Sequence, residues 1–365
     1  MTPLYDIFAR RISKTGPISL AEYMAECLLH PEHGYYTTRD PLGVQGDFTT
    51  APEISQMFGE LLGLCLAQAW TDQGSPAPFT LAELGPGRGT LMADILRATS
   101  AVPNFHSAMQ LVLIEASPTL RAKQKEALSG HQITWGNNVA ELPNQPLFLI
   151  ANEFFDALPI RQFVRSPQGW HETQVGMIDG KLGLGLSQPA PIALLDHRLA
   201  DTSEGDVVET CPSAAPIIDE IATRIAQHGG TAIVVDYGGW HSQGDTFQAL
   251  ENHTMVDPLD KPGFADLTAH VDFEALSIDA TNAGVQVSKM IPQAELLAHL
   301  GIVQRAEKLA EKLSGSALES HIAAFDRLTN ADKMGLLFKA IAIAPKSALL
   351  PPGFADQTPN PLCRP

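Results

Sequence analysis

From residue 79 onward, strand-like and helix-like segments alternate, and this alternation constrains the fold more than any other feature of the chain. The predicted strands are 79–84, 110–115, 132–135, 146–151 and 230–236. The predicted helices between them are 90–98, 118–128 and 214–227. Short apolar strands separated by helices are typical of parallel strands that are buried on both faces. We therefore predict an α/β fold built on a doubly wound, mostly parallel sheet.

Other segments surround this core. The predicted additions are helices at 4–15, 19–29, 52–70, 293–300 and 303–329, a hairpin at 176–188, a loop at 238–270, and strands at 285–288 and 335–344. The hairpin turn is assigned to Asp179-Gly180. The predicted organisation is a helical extension and ligand-covering loop at 1–75, a core at 76–345 with insertions at about 160–212 and 238–280, and a Pro-rich tail at 346–365.

Composition narrows the classes of partner. The 365 residues carry a net charge of −17, and 44% of them are hydrophobic, so the chain is globular and lacks the cationic face that nucleic acids require. The acidic balance suits small molecules or a cationic protein substrate. The four cysteines form no CxxC pair, the twelve histidines show no ligand spacing, and no apolar stretch approaches the roughly 20 residues of a membrane span. We predict a cytoplasmic protein without metal or membrane insertion.

The turn after the first core strand points to a cofactor. It reads Glu83-Leu-Gly85-Pro-Gly87-Arg-Gly89-Thr90, and a helix follows at once. Glycines let the turn tighten and a ligand approach the backbone, although a plain strand-to-helix turn would also use them. A dinucleotide fingerprint needs a third glycine where Thr90 stands. The spacing of Glu83 and the three glycines instead resembles the first motif of class I S-adenosylmethionine-dependent methyltransferases.

Two further strand ends fit the same cofactor. Glu115 closes the second strand, where a carboxylate can accept both ribose hydroxyls, although dinucleotide enzymes place an acid similarly. Asn137 and Asn138 follow the third strand, where methyltransferases commonly contact the adenine edge. An Asn pair after Gly136 is equally good turn chemistry, so both interpretations stay open.

Three longer motifs carry a specific resemblance. Gly46-Asp-Phe-Thr-Thr-Ala-Pro-Glu-Ile-Ser-Gln-Met-Phe-Gly-Glu60, the 83–90 turn and Ala151-Asn-Glu-Phe-Phe-Asp-Ala-Leu-Pro159 occur in this order. The Asp236-Tyr-Gly238 and 266–273 segments agree as well. The chain resembles the MidA-type methyltransferases, which include the mitochondrial assembly factor for respiratory complex I. These enzymes often have His or Asp where this chain has Gly136 and asparagines, which leaves the adenine contact open.

The resemblance implies fold and activity together. The implied fold is Rossmann-like, with a seven-stranded sheet, one antiparallel edge strand and a helical N-terminal extension. The implied reaction is methylation of a protein arginine by S-adenosylmethionine, and a complex I subunit is one possible acceptor. The sequence does not fix the acceptor or the oligomeric state.

The segment after the fourth core strand supplies the predicted catalytic residues. An arginine arrives as a guanidinium with a pKa above about 12, so paired carboxylates are needed to hold it and accept a proton as the methyl moves. We predict Glu153 and Asp156 for this role, with Asn152 near the cofactor or the target nitrogen. Asp156 is also a candidate cap for the following turn.

Residues outside this segment have weaker assignments. His270 and Asp272 are candidates for the same cleft, although Asp272 is equally a helix N-cap, and Asp236 is similarly ambiguous. The loop at 34–53 is predicted to cover the cofactor through Tyr36, Asp47, Thr50 and Glu53. For Glu53, ordinary first-turn helix chemistry is the alternative.

Two other functions remain open at this level. The first is transfer of the methyl to a small molecule, and the second is a chaperone-like assembly factor that binds the cofactor without catalysis. An NAD-dependent oxidoreductase is disfavoured because Thr90 interrupts its fingerprint.

Overall fold

The computed structural model describes residues 2–38 and 49–354, so the predicted contact of Asp47 lies outside the described residues. The α-helices are α1 (Pro3–Thr15), α2 (Leu20–Leu29), α3 (Tyr35–Thr38), α4 (Ala51–Ile54), α5 (Gln56–Asp72), α6 (Thr90–Thr99), α7 (Phe105–Ala108), α8 (Pro118–Ala127), α9 (Ala214–His228), α10 (Phe273–Asn282), α11 (Gln293–His299), α12 (Ile302–Ala310) and α13 (Gly315–Thr329). The strands are β1 (Ile18–Ser19), β2 (Phe79–Leu84), β3 (Met109–Ile114), β4 (Ile133–Gly136), β5 (Leu147–Asn152), β6 (Arg161–Ser166), β7 (Gly169–Ile178), β8 (Lys181–Leu186), β9 (Val207–Thr210), β10 (Gly230–Gly239), β11 (Gln248–Glu251), β12 (Thr254–Val256), β13 (Asp266–Thr268), β14 (Val271–Asp272), β15 (Gln286–Val287), β16 (Ile291–Pro292) and β17 (Phe338–Ala344).

The main sheet confirms the predicted α/β class. Its strands follow the order β15-β17-β10-β5-β2-β3-β4, and those from β10 to β4 are parallel. β17 runs antiparallel to β10. It lies one place inside the edge, because the short strands β15 and β16 pair with its outer side.

Helices cover both faces of this sheet. In β5, Phe148 and Ile150 pack into a layer that includes α5 and α6, whereas Leu149 and Ala151 pack into a layer that includes α9 and α10. This alternation follows from the two-residue period of a strand, and it explains why β5 is apolar from Leu147 to Ala151. Since parallel strands end at one edge of the sheet, the residues that follow them come together there.

A second sheet confirms the predicted hairpin. β7 and β8 pair across a turn in which Asp179 and Gly180 have positive φ, and β7 also pairs with β1 and β6. Val175 and Leu182 from the hairpin share one core with the first two helices. The N-terminal helices therefore pack against the insertion rather than forming a separate layer.

The structure corrects three sequence predictions. The segment predicted as a loop at 238–270 contains β11, β12 and β13, which form a small antiparallel sheet whose strands are too short and polar to show a clear alternation. The helix predicted at 52–70 is interrupted at Ser55, whose extended backbone separates α4 from α5. The helix predicted at 303–329 is likewise two helices, α12 and α13. In residues 2–38 and 49–354, no helix has the length and apolar character needed to cross a membrane.

Candidate active site

A cavity of about 350 Å³ lies at the carboxyl ends of the parallel strands. Its wall includes Gly85 after β2, Glu115 after β3, Asn137 after β4 and Glu153 after β5. Open α/β sheets bind ligands at this edge. The residues that the sequence assigned to four separate strand ends are thus brought together.

The glycine turn forms one side of the cavity. Gly85, Gly87 and Gly89 have φ values of +58°, +53° and +86°, a region that side-chain-bearing residues rarely adopt. A Cβ added to Gly85 would lie 3.0 Å from Cδ2 of Phe154, so this glycine also permits a close approach. Gly85 and Gly87 belong to the cavity wall, whereas Gly89 is the N-cap of α6. Backbone N–H groups in the first turn of a helix favour a negatively charged ligand group such as a carboxylate.

Glu83 lies on the cavity wall and is only 3% exposed. Burial, reinforced by the nearby Glu115 carboxylate, raises the pKa of Glu83 to about 8, although the N–H of Met92 opposes this shift. Its Oε2 has no hydrogen-bond partner among the described residues. An unpartnered buried carboxylate oxygen beside a cavity fits a ligand that carries an ammonium group.

We expect Glu83→Gln to stabilise the ligand-free protein while weakening its cofactor binding. Folding raises the pKa of this carboxyl to about 8. The folded protein therefore loses stability as the pH rises from the pKa of the unfolded chain toward about 8, because the unfolded chain releases its proton first. The gain in melting temperature should therefore be larger at pH 8 than at pH 5. Thermal unfolding at both pH values, with and without S-adenosylhomocysteine, measures both effects. An equal gain at both pH values would contradict the assigned protonation state.

Glu115 is held in place by the elements around the glycine turn. Its Oε1 accepts the N–H of Ser117 at 2.7 Å, and its Oε2 accepts Nε2 of Gln124 at 3.1 Å. Burial raises the pKa of Glu115 despite these bonds. Gln124 also donates to the carbonyl of Gly87 at 2.8 Å and accepts from Trp135 Nε1 at 2.8 Å. Sequence reasoning missed Gln124. The signal that could have found it is a polar residue one helical turn after the apolar Leu120, and in the structure both residues are buried.

Both asparagines after β4 contribute to the cavity wall, and both also have structural partners. Asn137 Oδ1 accepts Nη2 of Arg121 at 2.9 Å. Asn138 Oδ1 accepts the N–H of Ala140 at 3.0 Å, and its amide donates to Glu141. Asn138 therefore performs turn chemistry, and an adenine contact remains a prediction for either residue.

Glu153 and Asn152 face the cavity from the end of β5. Glu153 has a φ of +52°, an uncommon conformation for a residue other than glycine, and such strain is concentrated at functional sites. Its Oε1 accepts the N–H of Ala51 at 3.1 Å and Nδ2 of Asn152 at 3.0 Å. Burial raises the pKa of Glu153, while these two bonds and the charge of Arg327 oppose the shift. Oδ1 of Asn152 has no partner in the described part of the chain.

Asp156 lies deeper than the sequence predicted. It is 6% exposed and does not belong to the cavity wall, and in the described ranges no backbone N–H donates to its carboxylate. Burial and the neighbouring carboxylates of Asp236, Asp266 and Glu153 raise its pKa well above the usual range, against a hydrogen bond from Tyr237. Asp156 therefore lies behind the cavity rather than capping the following turn.

Three residues of the predicted covering loop also line the cavity. Tyr36, Thr50 and Glu53 all contribute to its wall. Glu53 Oε1 accepts the hydroxyl of Thr90 at 2.5 Å, which joins α4 to the start of α6. The Tyr36 hydroxyl donates to Oδ1 of Asp266 at 2.8 Å.

Asp272 and His270, the weaker candidates, differ in outcome. Asp272 accepts the N–H of Ala275 at 3.0 Å and caps α10, which confirms the capping interpretation. Neither residue belongs to the cavity wall. Within residues 2–38 and 49–354, His, Cys, Asp and Glu side chains form no group that could hold a metal ion.

The fold and cavity define a Rossmann-like methyltransferase class, and comparison with known proteins identifies the family. Residues 61–291 match the model of a family described as "Putative S-adenosyl-L-methionine-dependent methyltransferase". The chain is 38% identical to the human mitochondrial protein arginine methyltransferase NDUFAF7 over 96% of this chain and 85% of that protein. The corresponding protein of Xenopus tropicalis is 37% identical over 93% of this chain and 85% of its own length.

Solved structures agree with this assignment. A Burkholderia thailandensis protein crystallised with S-adenosyl-homocysteine is 28% identical, with a TM-score of 0.80 over 97% of this chain and 92% of that chain. The chain belongs to this methyltransferase family, and its cofactor is S-adenosylmethionine. The predicted cytoplasmic location is wrong by the same comparison, because the curated relatives are named as mitochondrial proteins.

Proposed function

We propose that this enzyme methylates an arginine side chain of a protein, with Glu153 as the carboxylate that meets the guanidinium. The observation that carries the proposal is the position of Glu153 on the wall of the cofactor cavity, at the end of β5. The names of the vertebrate relatives support the same acceptor class. A respiratory complex I subunit is the particular acceptor that we propose from the family resemblance.

The cofactor residues can be assigned by their chemistry. The Gly85–Gly89 turn and Glu83 suit the carboxylate and ammonium groups of the methionine portion, and Glu115 suits the ribose hydroxyls. Asn137 and Asn138 are the proposed adenine contacts, and Tyr36, Asp47, Thr50 and Glu53 are proposed to cover the cofactor. Bound S-adenosylmethionine supplies an electrophilic methyl, whose bond to sulfur breaks as its bond to the acceptor nitrogen forms.

Carboxylates of the enzyme bind the acceptor guanidinium and take up its proton. Glu153 pairs with the guanidinium and draws its positive charge away from the attacking nitrogen. The nitrogen loses one proton as it gains the methyl, and Glu153 accepts that proton before passing it to water. Asp156 lies behind Glu153, and although burial and the neighbouring carboxylates raise its pKa, a cationic acceptor that arrives nearby would favour its ionised form. Asn152 presents its unpartnered Oδ1 to the N–H groups of the same acceptor.

Proteome-wide mass spectrometry of a deletion strain tests the acceptor class. We expect at least one methylarginine to disappear in the deletion strain and to return with the wild-type gene. Unchanged arginine methylation, together with a lost small methylated metabolite, would favour the small-molecule alternative. Full complementation by Glu153→Ala would favour an assembly factor that acts by binding alone.

A further inference from the structure

Asp236, at the carboxyl-terminal half of β10, holds the backbone of the segment that contains Glu153 and Asp156. Its Oδ2 accepts three consecutive N–H groups, from Phe154 at 3.1 Å, Phe155 at 2.9 Å and Asp156 at 3.3 Å. Its Oδ1 accepts the N–H of Tyr237 at 3.0 Å. Asp236 is fully buried, so these bonds are shielded from water.

This arrangement explains how Glu153 keeps its unusual backbone conformation. The N–H of Glu153 bonds to the carbonyl of Val235 at 3.0 Å, which is the last link to β10 before the chain turns away. The next three amides would lack partners after the turn if Asp236 did not accept them. Three hydrogen bonds from this turn to one buried carboxylate therefore help to offset the cost of placing Glu153 at a φ of +52°.

The two residues that follow Asp236 fix the end of β10. The ring of Tyr237 packs edge-on against Phe338, with the ring centroids 5.5 Å apart. The next residue, Gly238, allows close pairing with β14, since an added Cβ would lie 2.2 Å from the carbonyl oxygen of Val271. These contacts hold the end of β10 in place, and from it Asp236 reaches the turn after β5.

We propose that Asp236 is a positioning residue for methyl transfer, because it fixes the backbone that orients Glu153. The inference rests on the proposed function for the role of Glu153 toward the acceptor. Asp236 does not belong to the described cavity wall, so its effect is exerted through the 153–156 segment.

Asp236→Ala, with Asp272→Ala as matched control, tests the backbone part, because alanine removes the acceptor oxygens. Asp272 is also a carboxylate that accepts backbone N–H groups, those of Ala275 and Ser242, but it lies outside the cavity wall. In hydrogen–deuterium exchange, Asp236→Ala should speed exchange at Phe154, Phe155 and Asp156 by at least about tenfold. Asp272→Ala should affect Ala275 and Ser242 instead.

Kinetics of the same full-length variants test the consequence for catalysis. The assay measures transfer of tritiated methyl from S-adenosylmethionine to protein extracted from a deletion strain. Asp236→Ala should lower kcat by about 10- to 100-fold, with KM for S-adenosylmethionine unchanged within about threefold, because misplacement of a catalytic group acts mainly on the chemical step. Asp272→Ala should retain kcat.

The pH profile separates positioning from general destabilisation. The groups that face Asp156 are Asp236 and Tyr237 from β10, Asp266 from β13, Tyr36 from α3 and Glu153 beside it. Burial raises the pKa of Asp156, and the negative charge of Asp236 raises it further. Asp156 must be ionised to attract the guanidinium. Asp236→Asn keeps an oxygen for the three N–H groups but removes the charge, so it should move the acid limb of kcat/KM to lower pH.

Each arm has an outcome that overturns the inference. Unchanged exchange at residues 154–156 in Asp236→Ala would overturn the backbone role without any assay of catalysis. Equal kcat values for Asp236→Ala and Asp272→Ala, or an acid limb that does not move to lower pH in Asp236→Asn, would overturn the positioning role. Absence of transfer by the wild-type enzyme, with normal exchange protection, would instead count against the proposed acceptor.

Discussion

Glu153→Gln is expected to lower the rate of methyl transfer by about 100- to 10,000-fold, the range typical of a lost general base. Both donors to this side chain, Ala51 N–H and Asn152 Nδ2, bond to Oε1, so a glutamine would keep its carbonyl there and replace Oε2 with an amide nitrogen. The change therefore preserves the local hydrogen bonds while removing the negative charge and the proton acceptor. Affinity for S-adenosylhomocysteine should stay within about threefold, because the lost interaction is with the acceptor.

Glu209→Gln is a matched control for this variant. Glu209 is buried in β9 and accepts one backbone N–H, from Thr246 at 3.0 Å, and one side-chain amide, from Gln162 at 3.1 Å. Burial raises the pKa of Glu209 as it does that of Glu153, but Glu209 lies outside the cavity wall. Tritium transfer and isothermal titration distinguish the two variants. Comparable rates for Glu153→Gln and Glu209→Gln would rule out a chemical role for Glu153.

The core of the fold could be predicted because its signals are local and strong. β2 and β5 are mostly apolar and are buried at every position, and the glycines after β2 favour a tight turn before a helix. The strand ends then follow from topology, because parallel strands place Glu83, Glu115 and Glu153 at one edge of the sheet. Asp236 was ambiguous for a different reason. Its three backbone partners lie 80 to 82 positions earlier in the chain, and no local pattern encodes such a contact.

The depth at which each acid lies could not be predicted from the sequence either. Glu153 and Asp156 are three positions apart and look equivalent as acids after a strand, yet one lies on the cavity wall and the other behind it. The difference arises because Glu153 adopts positive φ and the following amides bond to Asp236. The net charge of −17 gave no indication of where the acids would gather. In the structure, the carboxylates of Glu153, Asp236 and Asp266 lie close enough to Asp156 to raise its pKa.

The second large effect is expected from Gly87→Val, which should weaken binding of S-adenosylhomocysteine by at least about 100-fold, or about 2.7 kcal/mol. Gly87 has a φ of +53° and belongs to the cavity wall, and its carbonyl accepts Nε2 of Gln124. A β-branched residue strongly disfavours that backbone conformation, and its side chain would enter the space next to the turn. Relaxation of the turn would also release Gln124, which orients Glu115.

Gly315→Val separates loss of the site from the general cost of a valine at positive φ. Gly315 has a φ of +54° at the start of α13, and beyond its chain neighbours and its own helix no atom of the described residues lies within 4 Å of the Cβ position. Both variants should therefore bear a similar backbone penalty in the absence of ligand. Saturating S-adenosylhomocysteine should raise the melting temperature of the wild type and of Gly315→Val, because a ligand stabilises the state that binds it. It should leave that of Gly87→Val unchanged, and an equal rise in all three proteins would place the cofactor away from the glycine turn.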